Sequence, residues 1–180
     1  MRLIRATGLG LMISLALAGC VPPSVTRTPA EVSAEESAAA MARDGHFDQA
    51  AQAYLALAQS STGAADHYRL LAAEAYRQEG RLEQAASFLP TIKRQRLTGD
   101  EPVRLDLLQA EFALSQNNPQ RALQLTTQPG VAVPASLQLR QLELRAKAMD
   151  ATGDPWGAAR SRVEMDDRLS GLDQTQNRKQ

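Results

Sequence analysis

The chain has one cysteine, one tryptophan, two histidines and no excess of either charge sign. A single cysteine excludes an intramolecular disulfide. Basic and acidic residues number 20 each and are interspersed. That excludes the clustered cationic field by which proteins hold nucleic acid. The densest basic run, Lys93, Arg94 and Arg96, reads as a solvated helix end whose cations complement the helix dipole. His46 and His67 lie in no His-x-x-Glu-His or Cys-x-x-Cys spacing, so solvated or turn-packing roles are expected of them and no metal site. No serine sits in a Gly-x-Ser-x-Gly elbow, and no glycine-rich loop follows a strand to cradle phosphate. Glu164, Asp166 and Asp167 share a helical stretch flanked by Arg162 and Arg168, which reads as a charged outer face. Neither enzymatic activity, a small-molecule substrate nor a catalytic cofactor is expected.

No apolar run reaches the about 20 residues of a transmembrane helix. The longest, Leu9 to Ala18, follows Arg2 and Arg5 and runs into Gly19-Cys20 and then Val21-Pro22-Pro23. A basic start, a short apolar core and small residues before a cysteine are the plan of a secretory signal. Leu17-Ala18-Gly19-Cys20 further matches the bacterial lipobox. Residues 1–19 are therefore expected to be a cleaved signal peptide, and Cys20 the site of lipid attachment, with a diacylglycerol thioether and an N-acyl chain such as palmitate. Each buried methylene stabilises such an anchor by roughly 0.8 kcal/mol, so two or three chains hold durably where one does not. Val21 stands where enterobacterial lipoproteins retained at the inner membrane have an aspartate; by that resemblance the expected site is the outer membrane, periplasmic face.

What is abundant points to helix. Alanine, leucine, glutamine, glutamate and arginine dominate the body, and these residues lose little side-chain freedom in a helix. Residues 20–30, with Pro22, Pro23 and Pro29, read as a lipidated, extended tether. A repeat follows. Gly45-His46-Phe47-Asp48-Gln49-Ala50-Ala51 is echoed by Gly80-Arg81-Leu82-Glu83-Gln84-Ala85-Ala86, by Asn118-Pro119-Gln120-Arg121-Ala122, and by Gly153-Asp154-Pro155-Trp156-Gly157-Ala158-Ala159. Turns at intervals of about 35 to 37 residues, each between two amphipathic segments, predict helical hairpins. One hairpin cannot bury its apolar face, whereas a stack can. The fold expected over 31–171 is all-α: stacked antiparallel helical hairpins in a degenerate tetratricopeptide-like solenoid, carried by Ala72, Tyr76, Gly80, Ala85, Phe88 and Pro90. The third turn departs, with Asn in place of Gly. Tyr54, Tyr68, Tyr76 and Phe88 are expected in the inter-helix core, and Trp156 is expected to pin the fourth hairpin by packing. Around Pro129-Gly130 and Pro134 the stack is expected to bend or lose regularity. Residues 172–180 read as a linker or tail.

A lipobox, a proline-containing spacer, and degenerate hairpins ending in Ala158-Ala159-Arg160-x-Arg162-Val163-x-x-Asp166-x-x-Leu169 and Asn177-Arg178 together resemble the amino-terminal part of the penicillin-binding-protein activator lipoproteins, the LpoA family. The resemblance spans essentially the whole chain. It implies an outer-membrane lipoprotein that reaches into the periplasm and supports or activates a class A penicillin-binding protein in peptidoglycan biosynthesis and cell shape. It also implies a following domain shaped like a periplasmic ligand-binding protein, to which Asn177-Arg178 would open the linker. In that family the following domain carries contact with the synthase, so the helical part is expected to act as spacer or auxiliary docking surface. The alternative is a general tetratricopeptide lipoprotein serving assembly of outer-membrane proteins or pili. In both readings the partner is a protein, the membrane is met through the lipid anchor, and no nucleic acid is bound.

Overall fold

Eight α-helices follow one another in the computed structural model, which describes residues 27–177 and side chains as far as 171. They are α1 (Pro29–Arg43), α2 (Phe47–Ser60), α3 (Ala65–Gln78), α4 (Leu82–Phe88), α5 (Glu101–Ser115), α6 (Pro119–Thr126), α7 (Ala135–Thr152) and α8 (Pro155–Asn177). Single 3₁₀ turns at Leu89–Thr91 and Arg94–Arg96 extend α4 towards α5. No strand occurs among the described residues. Cys20 and the signal peptide lie outside them.

Each hairpin closes on the same backbone device. Gly45, Gly80, Asn117 and Gly153 take positive φ of 83°, 81°, 53° and 81°. At every one, the left-handed residue and its successor donate back into the last helical turn, as in Gly80 N to Arg77 O at 3.0 Å and Arg81 N to Tyr76 O at 2.8 Å. This is the Schellman closure, for which glycine carries no Cβ penalty and asparagine little. In the third turn the left-handed residue is Asn117, one position earlier than the sequence alignment on Asn118 implied. Asn118 instead caps α6, its side chain accepting from Arg121 N at 3.2 Å.

Helix boundaries moved at both ends. α1 starts at Pro29, inside the stretch read as tether, because Thr28 and Glu31 form a capping box: Thr28 Oγ1 accepts from Glu31 N at 3.2 Å and Glu31 Oε2 from Thr28 N at 2.7 Å. Proline at the first helical position has no N–H to lose there. α8 continues through Gly171 to Asn177, into the stretch read as tail. Gly171 is not among the positive-φ glycines and so does not stop the helix.

Alanine fills the seams. Ala38, Ala50, Ala72, Ala73, Ala110, Ala122, Ala148 and Ala158 are fully buried, letting helices approach closely. Tyr54, Tyr68 and Tyr76 are buried with them, and Phe88 stacks on Tyr76 with ring centroids 6.0 Å apart. The core falls into two clusters that share α5. Its Leu105 and Leu108 face the cluster built by α2–α4, while Val103, Leu107 and Ala110 face a second cluster with Leu125, Leu144 and Ala148. The irregular connection at 127–134 belongs to that second cluster through Val133. Two glutamines pin it, Gln138 Nε2 donating to Val133 O at 3.0 Å and Gln141 Nε2 to Thr126 O at 2.8 Å.

Candidate docking surface

The first helices of the hairpins, α3, α5 and α7, pack on one another in succession, whereas the second helices make no comparable contact among themselves. Close spacing on one side only curves a stack, with the first-helix layer inside. Along this layer runs a ladder of charge. His67, Arg104 and Arg140 occupy one repeat position, thirteen residues ahead of the left-handed residue of their own turn (67 to 80, 104 to 117, 140 to 153). Each reaches back to a carboxylate on the preceding first helix. His67 Nε2 lies 3.4 Å from Glu35 Oε1 on α1. Arg104 Nε donates to Glu74 Oε1 on α3 at 2.9 Å, and its Nη2 to Glu74 Oε2. Arg140 Nη2 donates to Glu111 Oε2 on α5 at 2.8 Å.

Burial sets the electrostatics of these rungs. It pushes the Arg104 guanidinium down, and neighbouring Arg140 adds to the effect. Glu35 and Glu101 experience burial that would raise them. Arg27 and His67 at Glu35, and His67 and Thr98 at Glu101, outweigh it and hold both carboxyls below the ordinary carboxylate range. Glu101 accepts from Thr98 N at 2.8 Å and contacts His67 Nδ1. His67 therefore joins α1, α3 and α5 and is not a solvated or turn histidine, whereas His46 is exposed at the first turn. Among the described residues no group of three or more His, Cys, Asp or Glu is placed to hold a metal ion.

The other residues singled out in the sequence fall as follows. Arg94 and Arg96 do not complement a helix dipole. They strap the α4–α5 connection to buried acids, Arg94 Nη2 to Asp106 Oδ2 at 2.9 Å and Arg96 Nη1 to Asp66 Oδ2 at 3.7 Å. Trp156 does not pack: it is 82% exposed. It lies one and two turns from Arg160 and Val163 on the outward side of α8, and Val163 is exposed as well. Asp154 caps that helix, leaving the indole at the first turn with no core to enter; its side chain accepts from Gly157 N at 2.9 Å. Glu164 is paired with Arg168 and Arg145, both at 2.9 Å, and its carboxyl is held low first by Arg168. Asp166 and Asp167 are exposed on the same helix.

The ladder is not visible in composition or in the turn pattern. Its signal was present: Glu74 and Glu111, like Arg104 and Arg140, are separated by the repeat interval measured between turns. Reading charges in repeat register, and not as dispersed surface, would have revealed it.

No helix among the described residues is long and apolar enough to cross a membrane. No curated protein and no solved structure matches the chain. The family model described as "LppC putative lipoprotein" matches residues 46–180, from the first hairpin turn to the last residue of the sequence. With the match covering most of its length, the chain belongs to the LppC family of lipoproteins.

Proposed function

We propose that this protein is an outer-membrane lipoprotein, anchored on the periplasmic face through acylated Cys20, that binds and supports a class A penicillin-binding protein through its helical stack. The reading is that of a scaffold and not of an enzyme. The observation that carries it is the family match over 46–180, which supports a lipoprotein of this kind; the synthase as partner rests on the resemblance to the activator lipoproteins. The match begins after Cys20, so the attachment site rests on the lipobox alone. The hairpin stack adds an extended, curved face suited to a protein partner.

Affinity capture of the lipidated protein from membranes, with mass spectrometry of what accompanies it, tests the partner. A class A synthase is expected. Its absence, with outer-membrane or pilus assembly proteins in its place, would move the assignment to the general scaffold reading. Anchoring is checked separately: Cys20→Ser is expected to abolish palmitate labelling and to shift the protein from the outer-membrane to the soluble fraction.

A further inference from the structure

Among the described residues, the two most exposed large apolar side chains, Trp156 at 82% and Val163 at 59%, lie on the same side of α8. Arg160 and Asp167, both exposed, complete one stripe with them, at the i, i+4, i+7, i+11 spacing of a single helix face about three turns long. Other charges on this helix are engaged within the fold, Arg162 with Asp150, and Glu164 with Arg145 and Arg168. Arg160 and Asp167 form no ion pair among the described residues. Stacking of hairpins does not call for the indole. Trp156 and Arg160 stand three and seven residues after the left-handed residue of their turn. The other hairpins hold Asp48, Glu83 and Gln120 at the first of these positions and Gln52, Ser87 and Gln124 at the second. Both positions are polar there, so a seam between hairpins is not what the indole serves.

We propose that this face is where two copies of the chain meet, their α8 helices antiparallel about a twofold axis beside Val163. The order of charge decides the occupant, because the stripe read in the opposite direction is its own complement. With the axis at Val163, each Arg160 lies level with the other copy's Asp167 and the two Val163 side chains meet at the centre. Each Trp156 then reaches the level of Gly171 on the facing helix, where glycine leaves room for a ring. A parallel pair in register would set Arg160 against Arg160 and Asp167 against Asp167. Exposed ion pairs add little affinity, so the charges fix direction and register while the indoles and valines supply the burial. One helix face is small against the roughly 800 Å² per partner of a standard interface. The association is accordingly weak, and suits copies held close together on one membrane. It does not rest on which other protein the stack binds.

Val163→Cys tests the arrangement, because it places a thiol at the axis where it meets its own copy. Mild oxidation of membranes carrying the full chain is expected to give a disulfide-linked homodimer above the background of the parent, whose sole cysteine is Cys20. Gln124→Cys, exposed on α6, is expected to give none. Combined with Val163→Cys, either Arg160→Asp or Asp167→Arg sets like charges against each other and should cut the yield about tenfold. Both reversals together should restore it, a recovery that damage to the fold cannot produce. Absence of a homodimer, equal yield from Gln124→Cys, single reversals without effect, or a double reversal that fails to recover would overturn the proposal. So would cross-linking of Val163→Cys to a different protein in place of the second copy.

Discussion

At Asp106, a carboxylate 5% exposed on α5 is held by an arginine that arrives from a 3₁₀ turn twelve residues earlier. Removing that arginine strands a buried acceptor, a change that costs about 1–3 kcal/mol. Arg94→Met is therefore expected to lower the unfolding free energy obtained from urea titration by that amount, while Arg94→Lys, which cannot make the two-pronged contact, recovers only part. An unchanged midpoint would show that water replaces the guanidinium. Glu101 provides a pH-dependent counterpart. Its folded carboxyl lies below the ordinary value of 4.5, so the unfolded chain takes up a proton first on acidification. The contribution of Glu101 is complete above pH 4.5 and is lost as pH falls through the lower folded value. Glu101→Gln is expected to be less stable at neutral pH and to lose less on acidification, read as urea midpoint against pH. Parallel pH curves for the two proteins would show that His67 and Thr98 do not hold this carboxyl. Neither group was legible beforehand, because a lone His and a scattered Glu acquire meaning only when α1, α3 and α5 are brought together.

Elements were more legible than residues, and the turns most of all. Glycine at the end of an amphipathic run has one strong structural meaning, and three of the four left-handed positions were glycines in plain view. In the third turn Asn117-Asn118 offers two candidates, and only the backbone shows that Asn117 closes one helix and Asn118 caps the next. The two kinds of turn residue give opposite expectations. Gly80→Ala places a Cβ in a left-handed backbone and should cost about 1–2 kcal/mol. Asn117→Gly removes one from the same conformation and is expected to leave stability equal or slightly raised, by less than about 1 kcal/mol. Thermal unfolding of the pair decides the matter: loss of stability in both would mean that the Asn117 side chain, and not its φ, closes the third turn. The helix starts at Pro29 and Pro119 carry a related lesson. Proline signals tether or turn in a sequence, yet at the first helical position it belongs to the helix.

Across the whole molecule, the all-α hairpin stack follows from a hydrophobic period and a turn interval, both written in the sequence. The sharing of α5 between two core clusters does not follow, since Leu105, Leu107 and Leu108 differ only in the direction they face. Unequal protection against amide exchange is the expected result. α5, packed on both sides, and α3 should exchange slowest, and α8, which packs on α7 with Trp156 and Val163 facing outward, should open first. Uniform exchange across all eight helices would mean that the stack unfolds as one unit, with no graded ends.

Because all four hairpins close on one backbone turn and meet chiefly their neighbours, the stack works as a ruler marked in equal divisions. Splicing in one more division of about 36 residues, cut at a left-handed position, would lengthen the reach while every existing joint kept its angle. A lineage obliged to bridge a wider gap could meet that demand by duplication, with no redesign of the seams.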